Sequence, residues 1–378
     1  MRVTFVSNYL NHHQIPFSLA MNRLCNGEYY FVSMDIMEEE RKNMGWTVKQ
    51  EYDFEIRLSE QPEKVEQLIE ESDVVIFGGG SYAKNVHNRI IQNRITFLYS
   101  ERVYKKNILY SLWPRGQYYM RKNNTAYKKN NLYFLSASAY APFDFSLVGA
   151  YKNKAYKWGY FPQTKTYEVE KLIKEKEKNS MLWVARFIDW KHPEKALKVA
   201  KKLKEDGFEF KLRFIGNGTL EENMKQLSRD YGLEEYVEFL GAMSPEEVRG
   251  YMEKSQIFLF TSDKGEGWGA VLNESMNSGC AVIADKHIGA APYLVKDNEN
   301  GLLYKGSVNE LYKKTKYLLQ NQEKAKELGT KAYQSITEEW NAEVAAERVL
   351  QLAEKLNNKE NCVFKDGPCS KAKVMWGI

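Results

Sequence analysis

Apolar, β-rich runs alternate with amphipathic helical patterns along the whole chain, and this alternation constrains the fold more than any other feature. Such a pattern predicts parallel sheets whose strands are joined by helices. At 378 residues the chain is also long for a single core. We therefore predict an α/β fold of two doubly wound domains. The expected buried strands are 3–8, 73–79, 95–100 and 132–138 in the first half, and 181–187, 210–216, 236–241, 256–262 and 280–285 in the second.

The segment WGYFPQT (158–164) marks a domain boundary through its Pro and Gly, and a charged run follows it at 171–180. We predict a first domain over residues 1–165 and a second over 166–339. Ligands of doubly wound sheets lie at the carboxyl ends of the strands. We therefore expect the functional site in a cleft between the two domains.

The C-terminal part of the chain does not continue the alternation. An amphipathic pattern near 335–355 predicts a long helix that belongs to neither sheet. This helix, placed at about 340–357, can pack back on the first domain. We expect an irregular, frayed tail over 358–378.

The composition argues against a membrane-spanning or secreted protein. No run of about 18 apolar residues is present, so no spanning helix is expected. The N-terminal stretch MRVTFVSNYL has the content of a buried strand rather than of a secretory leader. The cysteines lack metal-ligand spacing, so we expect reduced thiols and a cytoplasmic location. They are Cys25, Cys280, Cys362 and Cys369.

The stretch GEGWGAVLNESMNSG (265–279) combines three glycines with two acids, Glu266 and Glu274. It lies between two predicted strands, so it forms the turn and helix of one β-α-β unit, with the helix starting around Gly269. Gly267 and Gly269 let backbone N–H groups approach a ligand, and a helix N-terminus favours phosphate. The two glutamates can accept hydrogen bonds from hydroxyls, so the pattern fits a sugar nucleotide. The alternative is a structural glycine turn with Glu274 on the helix surface.

Two cations follow the strand predicted at 181–187. The sequence VARFIDWKH places Arg186 at the carboxyl end of that strand and Lys191 at the mouth of the next helix. Both can converge on one diphosphate, Arg as a bidentate fork and Lys as a point charge. An Arg and a Lys five residues apart are more often plain surface charges, but their place at a strand end favours phosphate binding.

Four motifs of the second half together resemble the retaining glycosyltransferases of family 4, which adopt the GT-B fold. They are VARFIDWK, FIGNG, EFLG and EGWGAVLNES, and NENGLL (298–303) follows them. The resemblance is strong over about 180–345 and looser over the N-terminal half. It implies a GT-B architecture of two Rossmann-like domains with an interdomain cleft and a C-terminal crossover helix.

The resemblance also implies roles for single residues. Arg186 and Lys191 resemble the pair that neutralises the leaving nucleoside diphosphate, and Glu266 resembles the residue that holds donor-sugar hydroxyls. Glu274 resembles the ribose ligand. The implied catalytic residues are Arg186, Lys191 and Glu266. The implied donor-binding residues are Gly216, Phe239, Leu240, Gly267, Trp268, Gly269 and Glu274.

The activity implied by the resemblance is transfer of a sugar from a nucleotide sugar, with UDP- or GDP-sugar expected, to a glycan or lipid-linked acceptor. The context is synthesis of a cell-surface polysaccharide. No cofactor and no metal ion are expected, because cationic side chains and a helix end supply the positive charge. In this family the acceptor is thought to attack from the face of the leaving group, which retains the configuration of the sugar.

The first half carries candidate acceptor-side residues in the loops after its predicted strands. The loop SNYLNHHQIP (7–16) lacks the glycines that the family often has there, so its side chains would reach the cleft. The stretch FGGGSYAKNVHNR (77–89) allows a tight turn and does not match a dinucleotide fingerprint. In the second half, the family frequently has an acid within the segment that reads HIGAAPYLV in this chain. The contribution of Ala291 or Tyr293 to the site is therefore left undetermined by the resemblance. The candidate acceptor-side residues are Asn8, His12, His13, Gly79, Gly80, Glu101 and Arg102.

Residues 101–130 carry eight Lys or Arg against one acid, interleaved with six tyrosines and tryptophans. Such a segment can bind a nucleic acid, an anionic membrane surface or a phosphate-bearing substrate. The alternative is a solvated loop or helix face without a partner. We favour peripheral contact with an anionic membrane, because acceptors of surface-glycan enzymes are often lipid-linked at its cytoplasmic face. We expect no nucleic-acid partner.

Two other functions stay open at the level of sequence. A GT-B sugar-nucleotide 2-epimerase would need acid and base residues in the cleft and would interconvert a free sugar nucleotide without an acceptor. A nucleic-acid-binding protein would use residues 101–130 and bind single strands with salt-sensitive affinity.

Overall fold

The computed structural model describes residues 1–37, 50–78, 83–105, 108–361 and 364–376. The chain forms two compact units. The first unit combines Met1–Gln163 with Trp340–Ile378, and the second is the continuous stretch Thr164–Glu339.

A parallel sheet forms the centre of the first unit, with seven strands among its described residues. The strands are β1 (Val3–Ser7), β2 (Tyr29–Ser33), β3 (Glu55–Arg57), β4 (Val74–Phe77), β5 (Ile95–Ser100), β6 (Leu132–Ser136) and β7 (Ala155–Lys157). Their spatial order is β3-β2-β1-β4-β5-β6-β7, so the direction of winding reverses between β1 and β4. The described α-helices of this unit are Ile15–Leu24, Pro62–Glu71, Ala83–Ile91, Pro114–Asn123, Ala141–Ser146 and Ala342–Asn357.

The second unit repeats this plan with a parallel six-stranded sheet. Its strands are β8 (Glu177–Val184), β9 (Lys211–Ile215), β10 (Val237–Phe239), β11 (Ser255–Phe260), β12 (Ala281–Asp285) and β13 (Leu302–Tyr304). The order β10-β9-β8-β11-β12-β13 places the reversal between β8 and β11. Its α-helices are Val169–Lys174, Pro193–Glu205, Glu221–Asp230, Pro245–Lys254, Val271–Asn277, Ala291–Leu294, Val308–Gln320 and Gln322–Glu338.

The central strands are buried along their whole length. Every residue of β1, β6, β11 and β12 is buried, as expected for parallel strands covered by helices on both faces. This explains why these strands appear in the sequence as continuous apolar runs. The prediction of two doubly wound α/β domains is therefore confirmed.

All nine predicted strands are present, with ends shifted by at most four residues. Four strands, β2, β3, β7 and β13, were not predicted. Three of them, β3, β7 and β13, are only three residues long, so they are too short to show a periodic pattern.

The helix Pro245–Lys254 begins at a complete capping box. Glu247 N donates to Ser244 Oγ, and Ser244 N donates to Glu247 Oε2 at 2.9 Å. The box satisfies two N–H groups at the end of the helix that would otherwise have no partner in the protein. Pro245 occupies the first turn, where its missing N–H costs nothing.

The helix predicted at about 340–357 is present as Ala342–Asn357, but the amphipathic pattern near 335–355 spans two helices rather than one. One helix ends at Glu338 and the next begins at Ala342, with Asn341 as its N-cap, where Val344 N donates to Asn341 Oδ1 at 2.9 Å. The break divides the two units. The second helix packs against Ile15–Leu24 of the first unit.

The tail is irregular, but the expectation that it frays is wrong for residues 364–376. Lys157 N donates to Ser370 O at 2.7 Å, Cys369 N donates to Lys157 O at 2.8 Å, and Ala372 N donates to Ala155 O at 3.0 Å. The tail therefore runs antiparallel along β7. The physical reason is that β7 lies at the edge of the sheet and has backbone groups left to pair.

Within the described part of the chain, no helix has the length and apolar content required to cross a bilayer.

Candidate functional site

The carboxyl ends of β8 and β11 meet where the strand order of the second sheet reverses. Doubly wound sheets bind ligands at such a point. Two loops leave the sheet here, the β8 loop (residues 185–192) and the β11 loop (residues 261–270). They contain the predicted catalytic residues Arg186, Lys191 and Glu266.

Backbone contacts hold the two loops together. Asp263 N donates to Trp190 O at 2.9 Å, and Thr261 Oγ1 donates to Lys191 O at 2.6 Å. Thr261 Oγ1 in turn accepts a hydrogen bond from the buried Trp183 indole at 2.8 Å. The core of the second unit thus sets the position of both loops.

Lys191 and Glu266 form an ion pair across the loops, between Lys191 Nζ and Glu266 Oε2. Ser262 Oγ donates to the same carboxylate oxygen at 3.0 Å. The sequence placed both residues at this site and did not predict that they pair. Among the described residues no hydrogen bond engages Glu266 Oε1, so this oxygen can accept from a ligand hydroxyl.

Arg186 is exposed at the end of β8, and its guanidinium lies over the Trp190 ring at 5.9 Å from the centroid. No ion pair joins it to an acid of the described chain. A planar guanidinium held by an aromatic ring keeps its donors available for a bidentate contact with phosphate.

His192 connects the loops and was missed by the sequence analysis. Its Nδ1 lies 3.0 Å from Glu194 Oε1, and its Nε2 lies 3.1 Å from Asp263 Oδ2. The hydrogen bond with Glu194 raises the pKa of His192, and Asp263 acts in the same direction against burial and Lys195. The residue also adopts a left-handed φ of 49° just before the helix Pro193–Glu205. The only feature of the sequence that could have pointed to His192 is its position just before Pro193, which begins a helix.

The backbone at residue 216 passes so close to the backbone of Ala185, in the β8 loop, that only glycine fits there. Gly216 has φ of 133°, and a Cβ there would overlap Ala185 O. Gly216 N also donates to Gly241 O at 2.8 Å. The structure therefore assigns Gly216 a structural role, and donor binding by this residue stays a prediction.

The predicted turn of the β11 loop is only partly accessible. Gly269 has φ of 90°, and a Cβ there would lie 2.5 Å from Phe260 Cζ. The Trp268 indole is buried and donates to Asn273 Oδ1 at 2.9 Å. Trp268 could therefore contribute to a ligand site only through its backbone, like Gly267 and Gly269.

Glu274 lies in the short helix Val271–Asn277, which begins two residues later than the predicted Gly269. Burial raises the pKa of the Glu274 carboxyl, and the charge of Arg249 opposes that shift. The buried Arg249 guanidinium donates to Glu274 O at 3.0 Å and to Asn277 Oδ1 at 3.0 Å. A half-buried carboxylate beside this cation is suited to accept hydrogen bonds from hydroxyls.

Phe239 is the last residue of β10, two strands away from β8, and Leu240 follows it. The Phe239 ring stacks on Phe214 with centroids 5.1 Å apart and an interplanar angle of 14°. Leu240 N donates to Phe214 O at 2.9 Å. The backbone N–H of Leu240 is therefore used within the sheet.

The predicted acceptor-side residues lie in the first unit, after β1 and β5. Asn8 is exposed, whereas His12 and His13 are half-buried with ring centroids 3.8 Å apart. Burial and the neighbouring His12 lower the pKa of His13 to about 3, so this ring is neutral at physiological pH. Gly79 and Gly80 lie outside the described residues.

Glu101 and Arg102 have different surroundings. The half-buried Glu101 accepts a hydrogen bond from Tyr160 Oη at 2.6 Å and pairs with Lys105. Arg102 is buried, with its Nε 3.4 Å from Asp144 Oδ1. The expected acceptor contact of Arg102 is not supported, because its guanidinium faces the interior rather than the surface.

Comparison with solved structures identifies the fold. HepE (Alr3699) of Anabaena, in a crystal structure with UDP, matches with a TM-score of 0.67 at 16% sequence identity, covering 95% of this chain and 100% of HepE. The two Rossmann-like sheets therefore form a GT-B fold. Residues 164–335, just under half of the chain, match the model of the family "Glycosyl transferases group 1". This match covers nearly the whole second unit, Thr164–Glu339.

Two glycosyltransferases whose names give a polysaccharide pathway are similar to about a third of the chain. The putative colanic acid biosynthesis glycosyltransferase WcaL of Escherichia coli is 33% identical over 125 residues, which are 32% of this chain and 30% of WcaL. The amylovoran biosynthesis glycosyltransferase AmsK of Erwinia amylovora is 34% identical over 128 residues, 32% of this chain and 31% of AmsK. The chain thus spans about a third of the length of these two relatives.

Proposed function

We propose that this protein is a retaining, family 4 glycosyltransferase. It transfers a hexose from a nucleotide sugar, a UDP- or GDP-sugar, to a glycan or lipid-linked acceptor in surface-polysaccharide synthesis. The observation that carries the proposal is the exposed Arg186 beside the Lys191–Glu266 pair at the reversal point of the second sheet.

The similarity of part of the chain to WcaL and AmsK supports the polysaccharide context. Crystal structures of HepE with UDP and with UDP-glucose support a nucleotide-sugar donor. A cytoplasmic location and peripheral contact with an anionic membrane belong to the same proposal.

The reaction breaks the bond between the sugar and the diphosphate, and negative charge grows on the leaving oxygens. Arg186 contacts these oxygens as a fork and Lys191 as a point charge. Fixed donors aimed at developing charge lower the barrier by about 3–4 kcal/mol each. Because these two cations and the backbone amides of the β11 loop supply the charge, the proposal requires no divalent metal.

Glu266 has two tasks in this mechanism. Its Oε2 holds Lys191 Nζ in place with the help of Ser262. Its Oε1 accepts a hydrogen bond from a donor-sugar hydroxyl. The sugar is thereby fixed relative to the cation that stabilises the leaving group, so a small error in either position would slow transfer.

The test is a thermal-shift screen of the full chain against UDP, GDP, ADP, CMP and their common sugar conjugates, with and without EDTA. A ligand at 100 times its dissociation constant should stabilise the fold by about 2.7 kcal/mol. We expect one nucleoside diphosphate to stand out, without an effect of EDTA, and to lose its effect in Arg186→Ala. The matched control is Arg229→Ala, an exposed arginine on the helix Glu221–Asp230.

No shift with any nucleotide would overturn the assignment of the site. A shift that EDTA abolishes would overturn metal independence alone. Interconversion of a free sugar nucleotide without an acceptor would instead identify the protein as a 2-epimerase.

A further inference from the structure

The segment between β5 and β6 presents an unusual amount of apolar surface. It contains a short 3₁₀ helix, Ile108–Leu112, and the α-helix Pro114–Asn123. No residue of the α-helix is buried. Six large side chains of this segment are between 54% and 72% exposed. They are Leu109, Tyr110, Leu112, Trp113, Tyr118 and Tyr119. Contiguous exposed apolar side chains usually mark a binding surface.

Hydrogen bonds and packing fix the segment that carries these side chains to the first unit. Gln117 Nε2 donates to Ser111 O at 2.6 Å, and Gln117 N donates to Trp113 O at 3.0 Å. Met120, on the opposite side of the helix, packs against the core of the first unit. The segment is thus fastened on one side and presents Leu112 and Trp113 on the other.

The exposed face of the helix is basic as well as aromatic. Arg115, Tyr118, Tyr119 and Lys122 follow one another at helical spacing and therefore share one face. Arg121 lies beside them and is also exposed. No ion pair joins these three cations to acids of the described residues, so their charges are available to an anionic partner.

The structure narrows the basic segment 101–130 that the sequence suggested. Arg102 is buried against Asp144, Tyr104 is buried, and Lys105 pairs with Glu101. Arg102 and Tyr104 are therefore not part of the surface and the charge of Lys105 is compensated, whereas Leu109 and Leu112 are exposed on it. This composition of the exposed surface favours a lipid bilayer over a single-stranded nucleic acid as the partner. A single-stranded nucleic acid is held by aromatic stacking and cations, whereas exposed leucines beside Trp and Tyr fit the boundary between lipid headgroups and acyl chains.

We propose that residues 109–122 form a docking surface for an anionic lipid bilayer. Leu109, Leu112 and Trp113 enter the headgroup boundary, and Tyr118 and Tyr119 lie at the level of the headgroups. The three cations, Arg115, Arg121 and Lys122, contact anionic headgroups. The proposal rests on the membrane contact in the proposed function and identifies the residues that make this contact. It does not depend on the donor site.

Flotation of the full chain with vesicles tests the surface. We expect binding to phosphatidylcholine vesicles that contain phosphatidylglycerol, weakened by high salt, and little binding to phosphatidylcholine alone. Leu112→Ser with Trp113→Ser should abolish binding. Arg121→Glu with Lys122→Glu should weaken it by more than about fivefold per charge, since a sign reversal exceeds the loss of one cation.

Two matched controls separate the surface from general stickiness. Ile91→Ser removes an apolar side chain that is 65% exposed elsewhere in the first unit. Lys313→Glu reverses an exposed charge in the second unit. Both controls should bind vesicles like the unchanged protein. All the substituted side chains are exposed, so each variant should keep the thermal unfolding midpoint.

Equal binding to both vesicle types, or binding that survives Leu112→Ser with Trp113→Ser, would overturn the proposal. So would absence of vesicle binding together with a dimer that the same substitutions dissociate, because the surface would then join two copies. Salt-sensitive binding of a single-stranded oligonucleotide without vesicle binding would also overturn it. Nucleotide binding in the thermal-shift screen is independent of these outcomes, so failure of this surface and failure of the donor site can be told apart.

Discussion

The Lys191 ammonium and the Glu266 carboxylate form an ion pair that joins the β8 loop to the β11 loop, and their side chains are only 13% and 14% exposed. Because water has little access, each charge depends on the other for compensation. Ser262 adds a hydrogen bond to the carboxylate at 3.0 Å. The pair therefore fixes the position of the two loops relative to each other and compensates both charges.

We expect this ion pair to be energetically coupled. Lys191→Met and Glu266→Gln should each lower the free energy of unfolding, because each leaves one polar group without its partner. The double variant should lose less than the sum, with a coupling of about 0.5–3 kcal/mol. Urea unfolding of the four proteins measures the coupling. The exposed pair Lys326–Glu323 provides the control cycle, for which we expect less than about 0.5 kcal/mol. Strict additivity at Lys191 and Glu266 would contradict the coupling.

Arg186 should matter for diphosphate binding and not for stability. Arg186→Ala should weaken binding of the nucleoside diphosphate found in the screen by about 10–100-fold, as expected for loss of a charged hydrogen bond. Arg186→Lys should fall between, because an ammonium cannot form the bidentate contact. Isothermal calorimetry measures the affinities. The free energy of unfolding should change by less than about 0.5 kcal/mol, since the side chain is exposed. Unchanged affinity in Arg186→Ala would remove this residue from the site.

The His192 bridge should make stability depend on pH. The folded pKa of His192 is raised above its ordinary value of 6.5, chiefly by the hydrogen bond with Glu194. Its contribution is therefore fully present below pH 6.5 and is lost as the pH rises through the higher, folded pKa. Burial acts to raise the pKa of Glu194, yet the bond to His192 brings it below its ordinary 4.5, so that contribution is lost on acidification.

We expect the difference in unfolding free energy between the unchanged protein and His192→Asn to be largest between pH 4.5 and 6.5. Asn tolerates the left-handed backbone that residue 192 adopts, so the variant tests the imidazole rather than the turn. Denaturant unfolding across pH 4–9 measures the difference. A gap that widens above pH 7 would show that the neutral ring, not the imidazolium, holds the loops.

Substitution of Gly216 should be far more costly than substitution of an open glycine. Gly216→Ala should destabilise the second unit by about 3 kcal/mol or more, because a Cβ would overlap Ala185 O. Gly207 also has a positive φ, of 77°, but nothing lies within 4 Å of a Cβ there. Gly207→Ala should therefore cost only the backbone strain of about 1–2 kcal/mol. Thermal and urea unfolding compare the two, and equal costs would contradict the close approach.

The strands that carry the site could be predicted because their burial on both faces leaves a mark in the sequence. β8, β11 and β12 each contain an uninterrupted run of four apolar residues, MLWV, IFLF and AVIA. A three-residue strand such as β3 or β7 leaves no such mark, because its formation depends on a neighbouring strand rather than on its own composition.

The placement of Arg186, Lys191 and Glu266 on two neighbouring loops could be predicted, but their contacts could not. Arg186, Lys191 and Glu266 could be located because parallel strands bring their carboxyl ends to one edge. The pairing of Lys191 with Glu266 joins residues 75 positions apart and depends on the loop conformations. Arg102 illustrates the opposite failure. A cation in a basic run suggests exposure, yet its partner Asp144 lies 42 positions further on and draws it into the core.

The division of the chain also has a consequence for the order in which the protein folds during synthesis. The second unit is one continuous stretch, Thr164–Glu339, so all of its strands are available once that stretch has left the ribosome. The first unit begins earlier but ends later, because its helix Ala342–Asn357 and the segment that pairs with β7 come last. We therefore expect the first unit to stay incomplete until the helix Ala342–Asn357 and the segment that pairs with β7 have been synthesised.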